Sequence, residues 1–250
     1  MFRKLITTEA NSTAEVRAFF DKCAEAYSEQ HGNPKRLLDY RIALIKQHAK
    51  PSDDDTVLDI GCGNGHHLMA LANTIGRGIG IDLSPAMIEM AQASLLNSPW
   101  QNKLTFFSDN GEKLDSLVEQ SIDLIICIGA LEHMLDKASV LASAYRILKS
   151  RGRFFCLTVH GEYFWYRTLA PLFKLETKHL STDKFLEKAE FTRLLKKSGF
   201  CRIESGYWTF IPKGDMPLAL NFVCQGLDII GRSFHLNSLR GGLWVCAWKE

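Results

Sequence analysis

The chain has 250 residues, of which 46% are hydrophobic and 23% are charged, and its formal net charge is +2. This length and composition are typical of one large globular α/β domain. The small net charge argues against a nucleic-acid partner, because binding a polyanion requires a dominant basic field.

Several sequence features bear on location and on metal binding. The longest apolar stretch, Met216–Ile230, is too short and too polar to span a bilayer, so we expect no stable membrane insertion. Residues 1–10 lack the apolar segment of a signal peptide. The seven cysteines are scattered and mostly lie in apolar runs, which is typical of reduced core residues in a cytoplasmic protein. No Cys-x-x-Cys pair occurs, and we predict no metal site.

The first two thirds of the chain predict a parallel sheet. Two helices, Ser12–Tyr27 and Leu37–Lys50, precede a region in which short β-rich runs alternate with helical runs. The predicted strands are Thr56–Ile60, Gly78–Asp82, Leu104–Ser108, Asp123–Ile128 and Arg153–Val159. The predicted helices between them are His66–Ile75, Pro85–Asn97 and Lys137–Lys149.

The last third contains two insertions. Residues 160–182 are irregular, aromatic and basic, and a helix (Glu187–Lys197) and a strand (Arg202–Tyr207) follow them. Residues 208–240 hold one predicted helix, Met216–Ile230, before a final strand at Leu243–Trp248. That helix has an apolar stripe at helical spacing, formed by Leu220, Val223, Leu227 and Ile230. The stripe favours packing against the body slightly over a lid above an apolar substrate or a contact with membrane lipid.

The most informative segment is the loop that follows the first strand, Asp59-Ile-Gly-Cys-Gly-Asn-Gly65. Three glycines at alternate positions allow a sharp turn and a close approach of ligand to backbone. Asp82, at the end of the second strand, can accept hydrogen bonds from both hydroxyls of an adenosine ribose. A dinucleotide fingerprint would place a third glycine where His66 stands. The carboxylate of Asp59 would repel a pyrophosphate but suits a cationic amine or sulfonium, so the loop favours a positively charged nucleoside.

Three segments resemble successive motifs of class I S-adenosylmethionine-dependent methyltransferases, namely Asp59–Gly65, Gly80–Met87 and Asp123–His133. They are most similar to the group that includes the ubiquinone and menaquinone biosynthesis methyltransferases (methyltransferase type 11). The resemblance spans roughly Ala14–Phe200. It implies S-adenosylmethionine as cofactor and a Rossmann-like α/β fold, with a seven-stranded mostly parallel sheet, helices on both faces and a small cap from insertions.

The resemblance also implies a division of the chain and a set of cofactor contacts. A single methyltransferase domain would cover residues 1–250, with a helical cap (1–50), a cofactor-binding core (51–159) and substrate-side insertions (160–182 and 208–240). The glycine loop would contact the methionine end and Asp82 the ribose, whereas Asp109 or Asn110 would face the adenine amine. The full set of cofactor contacts is Asp59, Gly61, Cys62, Gly63, Gly65, Asp82, Leu83, Met87, Asp109, Asn110, Ile128 and Gly129.

Methyl transfer from a sulfonium is a direct displacement, so the protein contributes mainly position, and a general base is needed only if the acceptor loses a proton. His133 is the first candidate base, because it follows the fourth strand at the carboxyl edge of the sheet, where open α/β proteins place ligands. It could instead bond local backbone and shape the pocket. His160 and His179 are weaker candidates that could equally be surface residues.

The acceptor is predicted only as a class. The aromatic and apolar content of both insertions favours an apolar or aromatic small molecule, such as a quinone precursor or natural product, and leaves O-, N- and C-methylation open. One alternative is an NAD(P)-dependent oxidoreductase, which Tyr145-x-x-x-Lys149 would suit. We interpret that pair as a helix face, because the glycine spacing is wrong for a dinucleotide. A second alternative is a partner protein that binds the cofactor without catalysis. The oligomeric state is not predicted.

Overall fold

The computed structural model describes residues 7–27, 34–172, 174, 176–209 and 218–250, apart from the side chains of residues 25–27, 34, 218 and 220. Its strands form a single sheet. They are β1 (Thr56–Ile60), β2 (Arg77–Asp82), β3 (Leu104–Ser108), β4 (Ile122–Ile128), β5 (Leu148–Val159), β6 (Arg202–Trp208) and β7 (Gly242–Trp248).

The sheet has seven strands in the order β3-β2-β1-β4-β5-β7-β6, which confirms the predicted fold class. The first five strands are parallel, and β7 lies antiparallel between β5 and β6. The order reverses between β1 and β4, where the connections leave toward opposite sides of the sheet. This switch point opens a crevice at the carboxyl ends of the two strands, where such sheets bind ligands.

Helices cover both faces of the sheet, because its central strands are apolar on both sides. The helices are α1 (Thr13–Tyr27), α2 (Pro34–His48), α3 (His66–Leu71), α4 (Pro85–Leu96), α5 (Lys137–Ile147), α6 (Ala170–Leu172), α7 (Lys188–Lys197) and α8 (Leu218–Ser233). In β1, Leu58 belongs to a core cluster shared with α5 and α7, whereas Val57 belongs to a second cluster shared with α2, α3 and α4.

The interpretation of Tyr145 and Lys149 as one helix face is wrong. Helix α5 ends at Ile147, because Leu148 already pairs with Ile122 of β4 in the sheet. Lys149 therefore lies in β5, where its Nζ is 2.7 Å from Oδ2 of Asp123.

The predicted packing of the helix near 216–230 is also not what the structure shows. Residues 216 and 217 lie outside the described part, and α8 extends to Ser233. Val223 and Ile230 of the predicted stripe are 49% and 45% exposed. The inward side carries Cys224 and Asp228 instead, both buried. Within the described ranges, no helix is long and apolar enough to cross a membrane.

The close approach of β2 and β3 can be tested at a glycine. Replacing Gly80 with alanine should lower the free energy of unfolding by about 1–3 kcal/mol, because the new Cβ would lie 2.4 Å from Cδ1 of Phe106. Gly226→Ala in α8 is the matched control, since a Cβ there meets nothing within 4 Å. It should be neutral or stabilise the protein by up to about 1 kcal/mol. Urea unfolding followed by circular dichroism measures both, and a wild-type midpoint for Gly80→Ala would contradict this packing.

Candidate functional site

A cavity lies at the carboxyl ends of β1, β2 and β4, at the switch point of the sheet. Most of the residues predicted to contact the cofactor line it, and the two that do not are Asp59 and Gly65. Those that line the cavity are Gly61, Cys62, Gly63, Asp82, Leu83, Met87, Asp109, Asn110, Ile128 and Gly129.

The glycine loop is held against β2 by its own backbone. The N–H groups of Gly61 and Cys62 both donate to the carbonyl of Ile81 at 2.9 Å. Gly61, Gly63 and Gly65 all have positive φ, which other residues rarely adopt. Gly65 lies behind the cavity, where an added Cβ would be 2.8 Å from the ring of Phe106. The third glycine thus serves close packing of the loop rather than ligand contact.

Asp82 links the glycine loop to the start of α4. Its Oδ2 accepts from the N–H of Gly63 and its Oδ1 from the N–H of Ser84, both at 2.9 Å. Burial raises the pKa of Asp82, and the two backbone hydrogen bonds partly oppose this. Each carboxylate oxygen can accept a further hydrogen bond. The side chain lines the cavity and therefore suits a ligand with two neighbouring hydroxyl groups.

Asp59 lies in β1, fully buried one layer below the glycine loop. Neither of its carboxylate oxygens has a hydrogen-bond partner in the described part of the chain. Burial first, and then the charge of Asp82, raise the pKa of Asp59 to about 8, although Arg41 opposes the shift. His67 is 3.8 Å away, but burial lowers the pKa of His67 to about 3, so this imidazole is neutral. A cationic group on a ligand would offset the cost of the buried carboxylate.

Arg41, on α2, is a cavity residue that the sequence reasoning missed. It stands beside Gly129, where an added Cβ would lie 3.4 Å from Nη2 of the guanidinium. The sequence does contain a signal, because Arg41 interrupts an apolar helix face that includes Leu38 and Ile45. A cation on an otherwise buried face is expected to have a partner or a ligand.

Asp109 and Asn110 both reach the cavity. The carboxylate of Asp109 accepts from the N–H of Asn110 at 2.7 Å and from the hydroxyl of Ser116. The side-chain oxygen of Asn110 accepts from the N–H of Glu112 at 2.8 Å. Both side chains are therefore fixed at the end of β3, and the choice between them as the adenine contact stays open.

His133 reaches the cavity from a short 3-10 turn, Leu131–His133. Its Nδ1 is 2.7 Å from Oδ1 of Asp183, which is almost fully buried. Oδ2 of Asp183 accepts from the N–H groups of His179 and Leu180 at 2.9 and 3.0 Å. This pair fixes the proton of His133 on Nδ1 and leaves Nε2 as its basic atom.

The environment of this pair stabilises the imidazolium. Burial alone would lower the pKa of His133, but the hydrogen bond to Asp183 and the charges of Glu132 and Asp183 outweigh it, so the pKa is raised. Burial alone would raise the pKa of Asp183, and the contact with His133 lowers it instead. Asp183 was missed by the sequence reasoning, because it stands in an irregular stretch with no motif around it.

The other two candidate histidines do not line the cavity. His160 is fully buried, so its interpretation as a surface residue is wrong. Its Nδ1 is 2.9 Å from the carbonyl of Arg240, which makes it a link between the end of β5 and the segment before β7. The ring of His179 lies 5.9 Å from that of His133, and its backbone N–H holds Asp183. His179 thus supports His133 from outside the cavity.

The remaining wall of the cavity is mainly apolar and comes from α1, α2 and the turn after β4. Phe20 of α1 packs edge-on against His133, with ring centroids 5.2 Å apart. Helix α1 is fixed over the cavity because Asp21 accepts a 2.5 Å hydrogen bond from the hydroxyl of Ser84. The apolar wall residues are Val16, Phe20, Leu37, Leu38, Met134 and Leu135.

Comparisons with known proteins agree with this architecture. A family model described as a methyltransferase domain matches residues 51–199. The ubiquinone biosynthesis O-methyltransferase of Hydrogenovibrio crunogenus is 28% identical over 192 residues, which cover 74% of this chain and 78% of that protein. The demethylmenaquinone methyltransferase of Symbiobacterium thermophilum is 27% identical over 174 residues, which cover 63% of this chain and 67% of that protein.

Among solved structures, a similar fold is found in geranyl diphosphate C-methyltransferase from Streptomyces coelicolor A3(2), in complex with Mg²⁺, geranyl diphosphate and S-adenosyl-L-homocysteine. The TM-score is 0.70 at 13% sequence identity, over 97% of this chain and 100% of that one. At this identity the likeness concerns the fold alone.

The contact between His133 and Asp183 can be tested in the protein without any ligand. Asp183→Asn should lower the pKa of His133, because asparagine can still accept the hydrogen bond but carries no negative charge. Titration of the His133 ring protons by NMR measures the change. Glu190→Gln, at a half-buried carboxylate paired with Lys184, should leave the pKa of His133 unchanged. An unchanged pKa in Asp183→Asn would show that the pair does not form.

Proposed function

The chain belongs to the methyltransferase domain family and uses S-adenosylmethionine as its methyl donor, and from this premise we propose that it methylates a phenolic oxygen of an apolar, quinone-precursor-like small molecule. The observation that carries the proposal is the His133–Asp183 pair in a cavity with an apolar wall. A phenol must lose its proton during methylation, and this pair supplies a base at that place. The names of the two relatives above, which concern quinones, support the same class of acceptor.

We propose that the polar half of the cavity holds the cofactor. Asp82 would accept hydrogen bonds from the ribose hydroxyls, and Leu83 and Met87 would line the adenine pocket. Arg41 would face the methionine end, which carries an ammonium and a carboxylate, and Asp59 would act on the ammonium from beneath the glycine loop. The buried and unpartnered oxygens of Asp59 fit a cationic ligand. When bound, the cofactor supplies an electrophilic methyl group on a sulfonium whose leaving group is a neutral thioether.

His133 would then act as the general base. Its Nε2 would accept the proton of the acceptor hydroxyl, which leaves a nucleophilic phenolate oxygen for the electrophilic methyl group that the cofactor would supply. Asp183 holds the Nδ1 proton and stabilises the imidazolium until His133 releases the proton to water. Phe20 and the other apolar wall residues would orient the ring of the acceptor and exclude water.

The division of the chain is part of the same proposal. Residues 51–159 would bind the cofactor and residues 1–50 would cover it. The insertions 160–182 and 208–240 stay predicted as the acceptor side, although no described residue of either lines the cavity. The oxidoreductase alternative has no support in the structure, because Lys149 bonds Asp123 at the amino end of β4, the opposite edge of the sheet from the cavity. A partner protein without catalysis is the alternative that the acceptor experiment below would reveal.

The ribose contact predicts a binding defect. Asp82→Asn should weaken the affinity for S-adenosylhomocysteine by about 10- to 100-fold, because hydrogen bonds to a charged acceptor contribute about 1.5–3 kcal/mol. Calorimetric titration with S-adenosylmethionine, S-adenosylhomocysteine and NADH measures this, and NADH should not bind the wild type. Asp115→Asn, outside the cavity, is the control. Unchanged affinity in a folded Asp82→Asn variant would refute the ribose assignment.

The acceptor proposal is tested with radiolabelled methyl donor and a panel of phenols, anilines and activated ring carbons that carry the same apolar side chain. The label should appear on the phenolic oxygen. His133→Asn should lower turnover by about 10²- to 10⁴-fold, because general-base catalysis contributes about that much, and should leave the cofactor affinity within twofold.

Three outcomes would contradict this assignment. A label on nitrogen or carbon would refute O-methylation. A parallel loss of turnover and cofactor affinity in His133→Asn would make His133 a pocket residue rather than a base. No transfer to any member of the panel, with normal cofactor binding, would favour the partner without catalysis.

A further inference from the structure

Helix α8 turns its apolar residues toward solvent. Phe222 and Ile229 are seven residues apart, as are Val223 and Ile230, so the four side chains lie along one side of the helix. The chain continues this surface after the helix ends. We call the set the outer face, and its members are Phe222 (70% exposed), Val223 (49%), Ile229 (52%), Ile230 (45%), Phe234 (71%) and Leu236 (47%).

The inward side of α8 fixes this orientation. Asp228 is buried, and its Oδ1 is 2.7 Å from Nε of Arg240, which is itself largely buried. Gly231 lies so close to the following turn that an added Cβ would be 2.8 Å from Cβ of Leu239. Rotating α8 to hide its apolar side would break the buried ion pair, at a cost larger than the gain from most single apolar contacts. The exposed apolar surface is therefore built into the fold.

The charges around the outer face are positive. In the described residues 219–240 the only carboxylate is that of Asp228, which is already paired with Arg240, whereas the guanidinium of Arg232 is exposed. Helix α6 and the segment before it pack against α8, since Trp165, Ala170 and Cys224 share one apolar cluster. Leu172 of α6 is a further exposed apolar residue, and Arg167 and Lys174 on either side of α6 are exposed cations. Glu176 is exposed too, and its carboxylate accepts from the N–H of Thr7.

We propose that the outer face of α8 docks on the surface of a lipid bilayer that contains anionic lipid. A helix that combines large exposed apolar side chains with nearby cations lies in the plane of the interface, with its apolar side among the acyl chains and its cations near the phosphates. The contact is peripheral, because α8 has only 16 residues.

The charge distribution favours a bilayer over a second copy of this chain. A two-fold interface through the outer face would bring the same cations of both copies together, with no exposed carboxylate in 219–240 to pair with them. Anionic headgroups supply that partner. The inference does not depend on the identity of the acceptor, because it concerns a surface outside the cavity.

Co-sedimentation with vesicles tests this inference. The whole protein should sediment with vesicles of phosphatidylcholine mixed with phosphatidylglycerol and much less with phosphatidylcholine alone, and added salt should weaken binding because it screens the cations. Phe222→Glu should weaken binding about tenfold or more, because it removes a large apolar side chain from the interface and adds a negative charge. Val118→Glu is the matched control, since Val118 is 74% exposed in a loop far along the chain from α8. It should bind like the wild type.

The variants are compared only if they bind S-adenosylhomocysteine with wild-type affinity, which shows that they are folded. Absence of sedimentation with the anionic vesicles would overturn the proposal, and so would equal binding by Phe222→Glu and the wild type. Light scattering without lipid provides a third arm. A dimer that Phe222→Glu dissociates would make a second copy, rather than a bilayer, the occupant of the outer face.

Discussion

The carboxylate of Asp82 is the contact on which the cavity depends. It receives one N–H from the glycine loop after β1 and one from the start of α4, so three segments meet at a single side chain. The same turn extends to α1, because the hydroxyl of Ser84 donates to Asp21. Removing this charge would weaken the attachment of both the glycine loop and α1, which lie on two sides of the cavity. The position of the carboxylate that we propose for nucleoside binding is thus fixed by the same bonds that give the loop its shape.

The site carries an electrostatic cost that a cationic ligand relieves. Burial and then the charge of Asp82 disfavour the charged form of Asp59, which has no hydrogen bond in the described structure. Arg41 compensates only in part. A fold can tolerate a buried charge where ligand binding offsets its free-energy cost. Ionisable groups with strongly shifted pKa values are therefore concentrated at functional sites.

The sequence predicted the features that depend on local chemistry. The strand runs and the sharp turn of the glycine loop are short-range patterns, and the structure confirms the strands and gives the three glycines positive φ. The missed or mistaken features depend on contacts between distant segments. Asp183 meets His133 across 50 positions, and the outward side of α8 is set by Asp228 and Arg240. The apolar side of an amphipathic helix usually packs against the core. In α8 a buried ion pair holds the opposite side inward, and hydrophobic periodicity cannot reveal this.

The antiparallel pairing of β7 with β6 determines how freely the segment between these two strands can vary. Trp208 at the end of β6 pairs with Gly242 at the start of β7. The segment that connects the two strands therefore begins and ends at neighbouring positions of the sheet. Among the described residues, all those that line the cavity come from the segment that ends at Leu135. This connecting segment can therefore be lengthened, shortened or exchanged with little loop-closure penalty and without changing the residues proposed to bind the nucleoside. Methyl-donor binding and the outward contacts of α8 are in this sense separate modules, free to evolve at different rates.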